Sequence, residues 1–232
     1  MLDFIFKMEA TFSDWLPHTK WNFSQLAEKS GETLDHVVDV LSDVLGVEFE
    51  LNATIHREEV ERAVALLKER MRPQIEAHQR ILKQRQDKAV KSYDGAMEKI
   101  RVLQQAKNWP NAYRTVSTFI GTCETDLPKD ILLSLYGEAL RLGIKSNENL
   151  QELGRWLSKA VAICCNPPNK DGLEEALDFI DAYGEYFYND TNSNGRKFIS
   201  NLLKTLREPV GEFGLSGNYM QVIKGLGGDL RA

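Results

Sequence analysis

Five cationic side chains, Arg80, Lys83, Arg85, Lys88 and Lys91, fall within a dozen residues, with Gln79, Gln84 and Gln86 among them. Ammonium and guanidinium groups at this density meet phosphate oxygens, the carboxylates of an acidic partner, or acidic residues of the same chain. Proteins that hold single-stranded nucleic acid usually interleave aromatic rings for the bases to stack on. No aromatic residue lies between Met71 and Tyr93, so contact with RNA or DNA here is expected to involve the backbone alone, without sequence preference. The opposite charge gathers at Glu32, Asp35, Asp39 and Asp43, whose steps of three, four and four place them on one side of a helix. Such a face repels a phosphate backbone and suits either solvent or a basic protein partner.

Other polar residue types lend little to catalysis. His18, His36, His56 and His78 occur singly, and HExxH, CxxC and GxSxG spacings are absent. The Gly-rich GLGGDL near the end lacks the Lys-Ser/Thr of a phosphate loop. No catalytic residue and no cofactor is assigned from the sequence. Asp190, Asn192 and Asn194, followed by Gly195, resemble the opening of an EF-hand calcium loop, which needs oxygens at alternate positions and a glycine turn. The twelfth position is Asn201 instead of the bidentate Glu, so the segment reads as an Asx-rich turn between helices and no metal site is assigned.

Residues 1–67 carry 5 Lys/Arg against 13 Asp/Glu, whereas residues 68–107 carry 11 against 5, so a net charge of −5 conceals a cationic stretch. The chain has 232 residues, 42% of them hydrophobic and 27% charged, enough to bury a core in one large or two small domains. No apolar run approaches the roughly 20 residues of a membrane span. At the N-terminus Asp3, Lys7 and Glu9 interrupt the apolar residues, and no leader cleavage site is seen. Three cysteines, two of them adjacent at Cys164 and Cys165, give no disulfide framework. A cytoplasmic protein without membrane contact is expected.

The elements that must carry these charges read as helices. Leu2, Ile5, Phe12, Trp15 and Leu16 predict a short amphipathic helix ending at Pro17. It either packs on its own domain or, through the off-stripe Phe4 and Phe6, docks on a partner or a second copy. From Phe23, the residues Leu26, Ala27, Gly31, Thr33, Val37, Val40 and Leu41 resemble a helix-turn-helix, with Gly31 turning the chain and Thr33 capping the second helix. With LNATIHREEVERAVALLKE added, residues 20–70 are similar to the small helical modules at the N-terminus of bacterial translation initiation factor 2. The resemblance implies a compact three-helix module; no GTPase motif follows it.

Residues 57–106 predict one long helix with kinks at Pro73 or Gly95, and an apolar stripe from Leu67 to Leu103 that is thinnest between residues 76 and 92. That stripe also allows self-association. Beyond Asn108, helices are predicted over 111–124, 129–143, 147–165, 172–188 and 196–207, ending before Pro209. Their spacing is similar to tetratricopeptide-like repeats, and a right-handed stack or a simple bundle both fit. The tail from Gly211 is glycine-rich, yet it carries Phe213, Leu215, Tyr219, Met220, Val222, Ile223 and Leu226 for docking on its own domain or on a partner.

The expected fold is all-α: a small N-terminal three-helix module (1–70), a long basic connector helix (71–107), a C-terminal helical-hairpin stack or bundle (108–208) and a Gly-rich tail (209–232). The function expected is that of a non-catalytic adaptor or assembly subunit that binds a protein partner. The alternative is a nucleic-acid-associated component using the basic helix for sequence-independent phosphate contact. A third reading is an enzyme without a recognisable motif, its polar residues converging in a pocket that sequence order does not reveal.

Overall fold

The computed structural model describes residues 5–7, 20–189 and 194–226. The chain is mostly helical, with one two-stranded sheet, and divides into two compact units, residues 1–83 and 84–232.

In the first unit, strand β1 (Lys20–Asn22) pairs antiparallel with β2 (Thr54–His56), setting Trp21 opposite Ile55. Helix α1 (Phe23–Ser30) starts at Asn22, whose side chain accepts the Gln25 amide at 2.8 Å while the Gln25 side chain accepts the Asn22 amide at 3.2 Å. This reciprocal box satisfies two amides that the first helical turn leaves over. Helix α2 (Leu34–Leu45) is capped by the Thr33 hydroxyl, which accepts from the His36 amide at 3.4 Å. Both helices end on glycines at φ +67°, Gly31 and Gly46, where a side chain would be strained. The long helix α3 (Arg57–Gln105) contributes Val60, Ala63, Val64 and Leu67 to the same core, at the i, i+3, i+4, i+7 spacing of one helix face. Ile5, Trp21 and Phe23 are buried with them, and the Phe23 and Phe49 rings lie 5.2 Å apart.

The expected N-terminal module is thus two short helices and the start of α3 joined by a β-ribbon that the sequence did not announce. Of the helix expected over 2–16, only residues 5–7 are described, and these are helical; Phe4 lies outside the described residues.

In the second unit, α4 (Trp109–Cys123), a 3₁₀ turn (Glu124–Asp126), α5 (Lys129–Ser146), α6 (Leu150–Cys164), α7 (Lys170–Tyr188) and α8 (Asn194–Glu212) follow one another, each helix packed on the next. Their facing stripes form one core, in which Ile120, Leu140, Leu157, Ile180 and Leu203 are almost fully enclosed. Each such side chain contributes about 1.5–3 kcal/mol by leaving water.

One expectation is corrected here. Pro209 does not end α8, because the buried stripe Ile199, Leu203, Leu206 and Val210 continues across it, whereas α3 runs as the one long helix expected, through Pro73 and Gly95. Of the Gly-rich tail, Ser216–Gly225 forms helix α9, which docks on its own domain by packing on α7 and α8, with Tyr219 and Val222 buried. The Tyr219 hydroxyl donates to the Leu203 carbonyl at 3.0 Å. Among the described residues, no helix is long and apolar enough to cross a membrane.

Candidate binding surfaces

The expected acidic face is carried by α2, whose buried side holds Val37, Val38, Val40 and Leu41. Asp35, Asp39 and Asp43 project from the opposite side and are exposed. Asp43 pairs with Arg70 on α3 at 2.8 Å, a solvated ion pair worth little. Glu32 precedes the Thr33 cap and is therefore not on the helix. Phe6 is partly exposed and lies beside His78, ring centroids 6.3 Å apart.

The five basic residues of α3 are all exposed, but they are not equivalent. Arg80 is 3.5 Å from Glu76 one turn earlier, and Arg85 is 3.2 Å from Asp126 in the 3₁₀ turn. Lys83, Lys88 and Lys91 form no ion pair among the described residues. Asp87 shares a shallow concavity with Lys88 and Lys91, which lowers the positive potential there. The apolar stripe also lapses in this region, since Ile81 and Leu82 are about half exposed.

Asp190 and Asn192 of the calcium-like turn lie outside the described residues, and Asn194 is the first residue of α8. No grouping of three or more His, Cys, Asp or Glu fit to hold a metal occurs among the described residues.

Two features of the second unit escaped the sequence reading. The first is a polar network where α4, α5 and α6 meet. Lys159 donates to both Glu124 oxygens, at 2.5 and 2.6 Å, and the Tyr136 hydroxyl donates to the same carboxylate. The Tyr136 ring stacks on Trp156 at 5.9 Å, and the Trp156 indole N–H donates to the Tyr113 hydroxyl at 3.0 Å. Burial pushes the Glu124 carboxyl up, but the hydrogen bonds from Lys159 and Tyr136 outweigh it and hold the group below its ordinary value. Burial, then the bond to Glu124, raises the Tyr136 hydroxyl. On α6 the Cys164 thiol is pushed up to about 12, chiefly by burial, so it is an unreactive packing residue.

The second feature is a groove of about 460 Å³ between α5 and α7. Helix α5 presents Asp130, Leu133, Ser134 and Gly137 to it, and α7 presents Glu175, Asp178, Phe179, Ala182 and Tyr183. Both sets fall at i, i+3, i+4 and i+7, with Tyr183 at i+8 on α7, so each is one helix face. The Tyr183 hydroxyl donates to the Gly137 carbonyl at 3.0 Å, pinning the two helices at the groove floor. Phe179 and Tyr183 are half-buried, and the three carboxylates are exposed at the rim. The signal that the sequence held was the pair of small residues, Gly137 and Ala182, inside stripes that also bear carboxylates.

A larger cleft of about 580 Å³ is lined by Phe187, Phe198, Asn194 and Arg155, the single charged side chain among its lining residues. No protein family, no curated protein and no solved structure matches this chain.

Proposed function

We propose that this chain is a non-catalytic helical adaptor or assembly subunit whose second unit holds a protein partner. The α5/α7 groove carries the reading: half-buried aromatic rings ringed by exposed polar groups are the composition of protein interfaces, where aromatic anchors dominate the binding energy. The displaced acidity of Glu124 and Tyr136 supports the same view. Both Glu124 oxygens are taken up by Lys159, and one also receives the Tyr136 hydroxyl, so the displacement reflects packing between three helices.

The test is to immobilise the full chain, identify retained proteins by mass spectrometry, and measure each purified candidate by calorimetry. A stoichiometric complex weakened about tenfold or more by Phe179→Ala is expected, in line with the loss of an interface anchor. Failure of every purified candidate to form such a complex overturns the reading.

Sequence-independent phosphate contact through α3 is the second reading, favoured by the exposure of Lys83, Lys88 and Lys91. It predicts binding to mixed-sequence RNA that falls steeply with salt and vanishes when Arg80, Lys83, Arg85, Lys88 and Lys91 become Gln.

A further inference from the structure

Helix α7 bears Asp171, Glu174, Glu175, Asp178, Asp181 and Glu185 against a single cation, Lys170. Among the described residues no ion pair reaches any of these six carboxylates. Like charges three and four residues apart repel along a helix, so α7 keeps an arrangement that no ion pair among the described residues offsets. Two of the six, Glu175 and Asp178, lie on the rim of the α5/α7 groove, where Asp130 joins them from α5. No basic side chain lines the groove. Arg141, whose charge acts on Tyr183, is committed to Glu138 through hydrogen bonds of 2.9 and 2.6 Å.

The floor adds a second chemical preference. The Phe179 and Tyr183 rings are 6.2 Å apart and tilted by 31°, each with part of its surface open. The electron-rich face of an aromatic ring attracts a cation, Arg more often than Lys, and more strongly once water is excluded. Carboxylates at the rim can accept the paired N–H donors of a guanidinium. A volume of about 460 Å³ admits one or two long side chains with a stretch of backbone, and not a folded domain.

On the strength of the adaptor reading, we infer that the α5/α7 groove receives an Arg- or Lys-rich peptide segment of the partner protein. A cationic side chain lies against Phe179 and Tyr183, with Asp130, Glu175 and Asp178 around its charged head. Attraction between groups this exposed speeds encounter and weakens with salt.

The experiment follows the fluorescence anisotropy of a labelled peptide of alternating Arg and Ala, and of its Glu counterpart, against the full chain at low and physiological salt. Glu175→Lys/Asp178→Lys reverses exposed rim charges, Phe179→Ala removes a ring, and Glu48→Lys/Glu50→Lys makes the same net change at exposed residues of the first unit. Circular dichroism verifies that each variant keeps its helices. The Arg peptide is expected to bind, with Kd raised about tenfold or more by the rim variant, about fivefold by Phe179→Ala, and less than about twofold by the control. No binding at low salt, equal binding of the Glu peptide, or an equal loss in the control pair overturns the proposal. A partner complex that survives Glu175→Lys/Asp178→Lys overturns the groove assignment and leaves the adaptor reading standing. Groove-dependent peptide binding without any protein complex does the reverse.

Discussion

Glu124 sits at the end of α4 and is gripped from α5 and α6, so its ionised form is worth more to the folded chain than to the unfolded one. Its folded-state pKa is lowered, and the resulting stability is therefore present above the ordinary value of 4.5 and disappears as pH falls through the lower folded value. Glu124→Gln keeps the shape but removes the charge that Lys159 faces. At neutral pH it is expected to cost about 1–2 kcal/mol, the pair being only partly shielded from water. Urea titrations from pH 7 down to 3 make the comparison: the stability gap between wild type and variant should close as the solution is acidified. A gap that persists unchanged at pH 3 would mean that the substitution disturbs packing instead of electrostatics. None of this network was legible in the sequence. Glu124, Tyr136 and Lys159 are separated by 12 and 23 positions, and only the folding back of three helices brings them together. The acidic side of α2, by contrast, was legible because its members belong to one helix and its period is local.

The same contrast governs the elements. The five helices from Trp109 to Glu212 were readable because Asn, Pro and Gly punctuate them and their apolar stripes repeat by three and four. Strands of three residues show no alternation, so the β1–β2 ribbon was invisible; only Trp21 and Ile55 point inward. Pro209 misled because local propensity is a weak prior beside a continuous buried stripe. The α5/α7 groove was hidden because its two walls are separated by all of α6, and each wall alone reads as the edge of an ordinary amphipathic helix. Two glycines show how differently one residue type can serve these helices. At Gly172, near the start of α7, a Cβ would run into the backbone carbonyl of Cys164 at the end of α6, where neither side can yield cheaply. Gly172→Ala should therefore destabilise the second unit by about 1–3 kcal/mol, the usual cost of overpacking. Gly95 lies exposed within α3 with nothing within 4 Å of its added Cβ. Gly95→Ala should stabilise by about 0.5–1 kcal/mol through the backbone entropy of the unfolded chain. Urea midpoints decide both, and a stabilising Gly172→Ala would show that α6 and α7 do not approach as closely as described.

At the scale of the whole molecule, the described residues form two hydrophobic cores without a shared buried residue, one around Phe23, Leu41 and Leu67, the other around Tyr136, Leu157 and Ile180. The long helix passes through both units, and from residue 76 to 88 every residue of α3 is exposed. A helical stretch this exposed depends chiefly on its own backbone bonds and on weak pairs such as Arg80 with Glu76 and Arg85 with Asp126. Helices of that length are marginal in water, so this stretch should open locally far more often than either core unfolds. It is also where the trypsin sites Arg80, Lys83, Arg85 and Lys88 are concentrated. Brief digestion of the native chain is therefore expected to cut first within residues 80–88. The larger product, carrying α4 to α9, should keep a cooperative thermal transition and a helical circular dichroism spectrum, because the described buried residues of its core all lie from Ala89 onward. The smaller should hold the β1–β2 ribbon and the first turns of α3, with less stability, since a core of that size is near the lower limit for independent folding. First cleavage elsewhere, at Lys107 or Lys145 for instance, would place the weakest backbone in the helical stack and not in the connector. Loss of cooperative unfolding in the larger fragment would mean that the second core depends on the first.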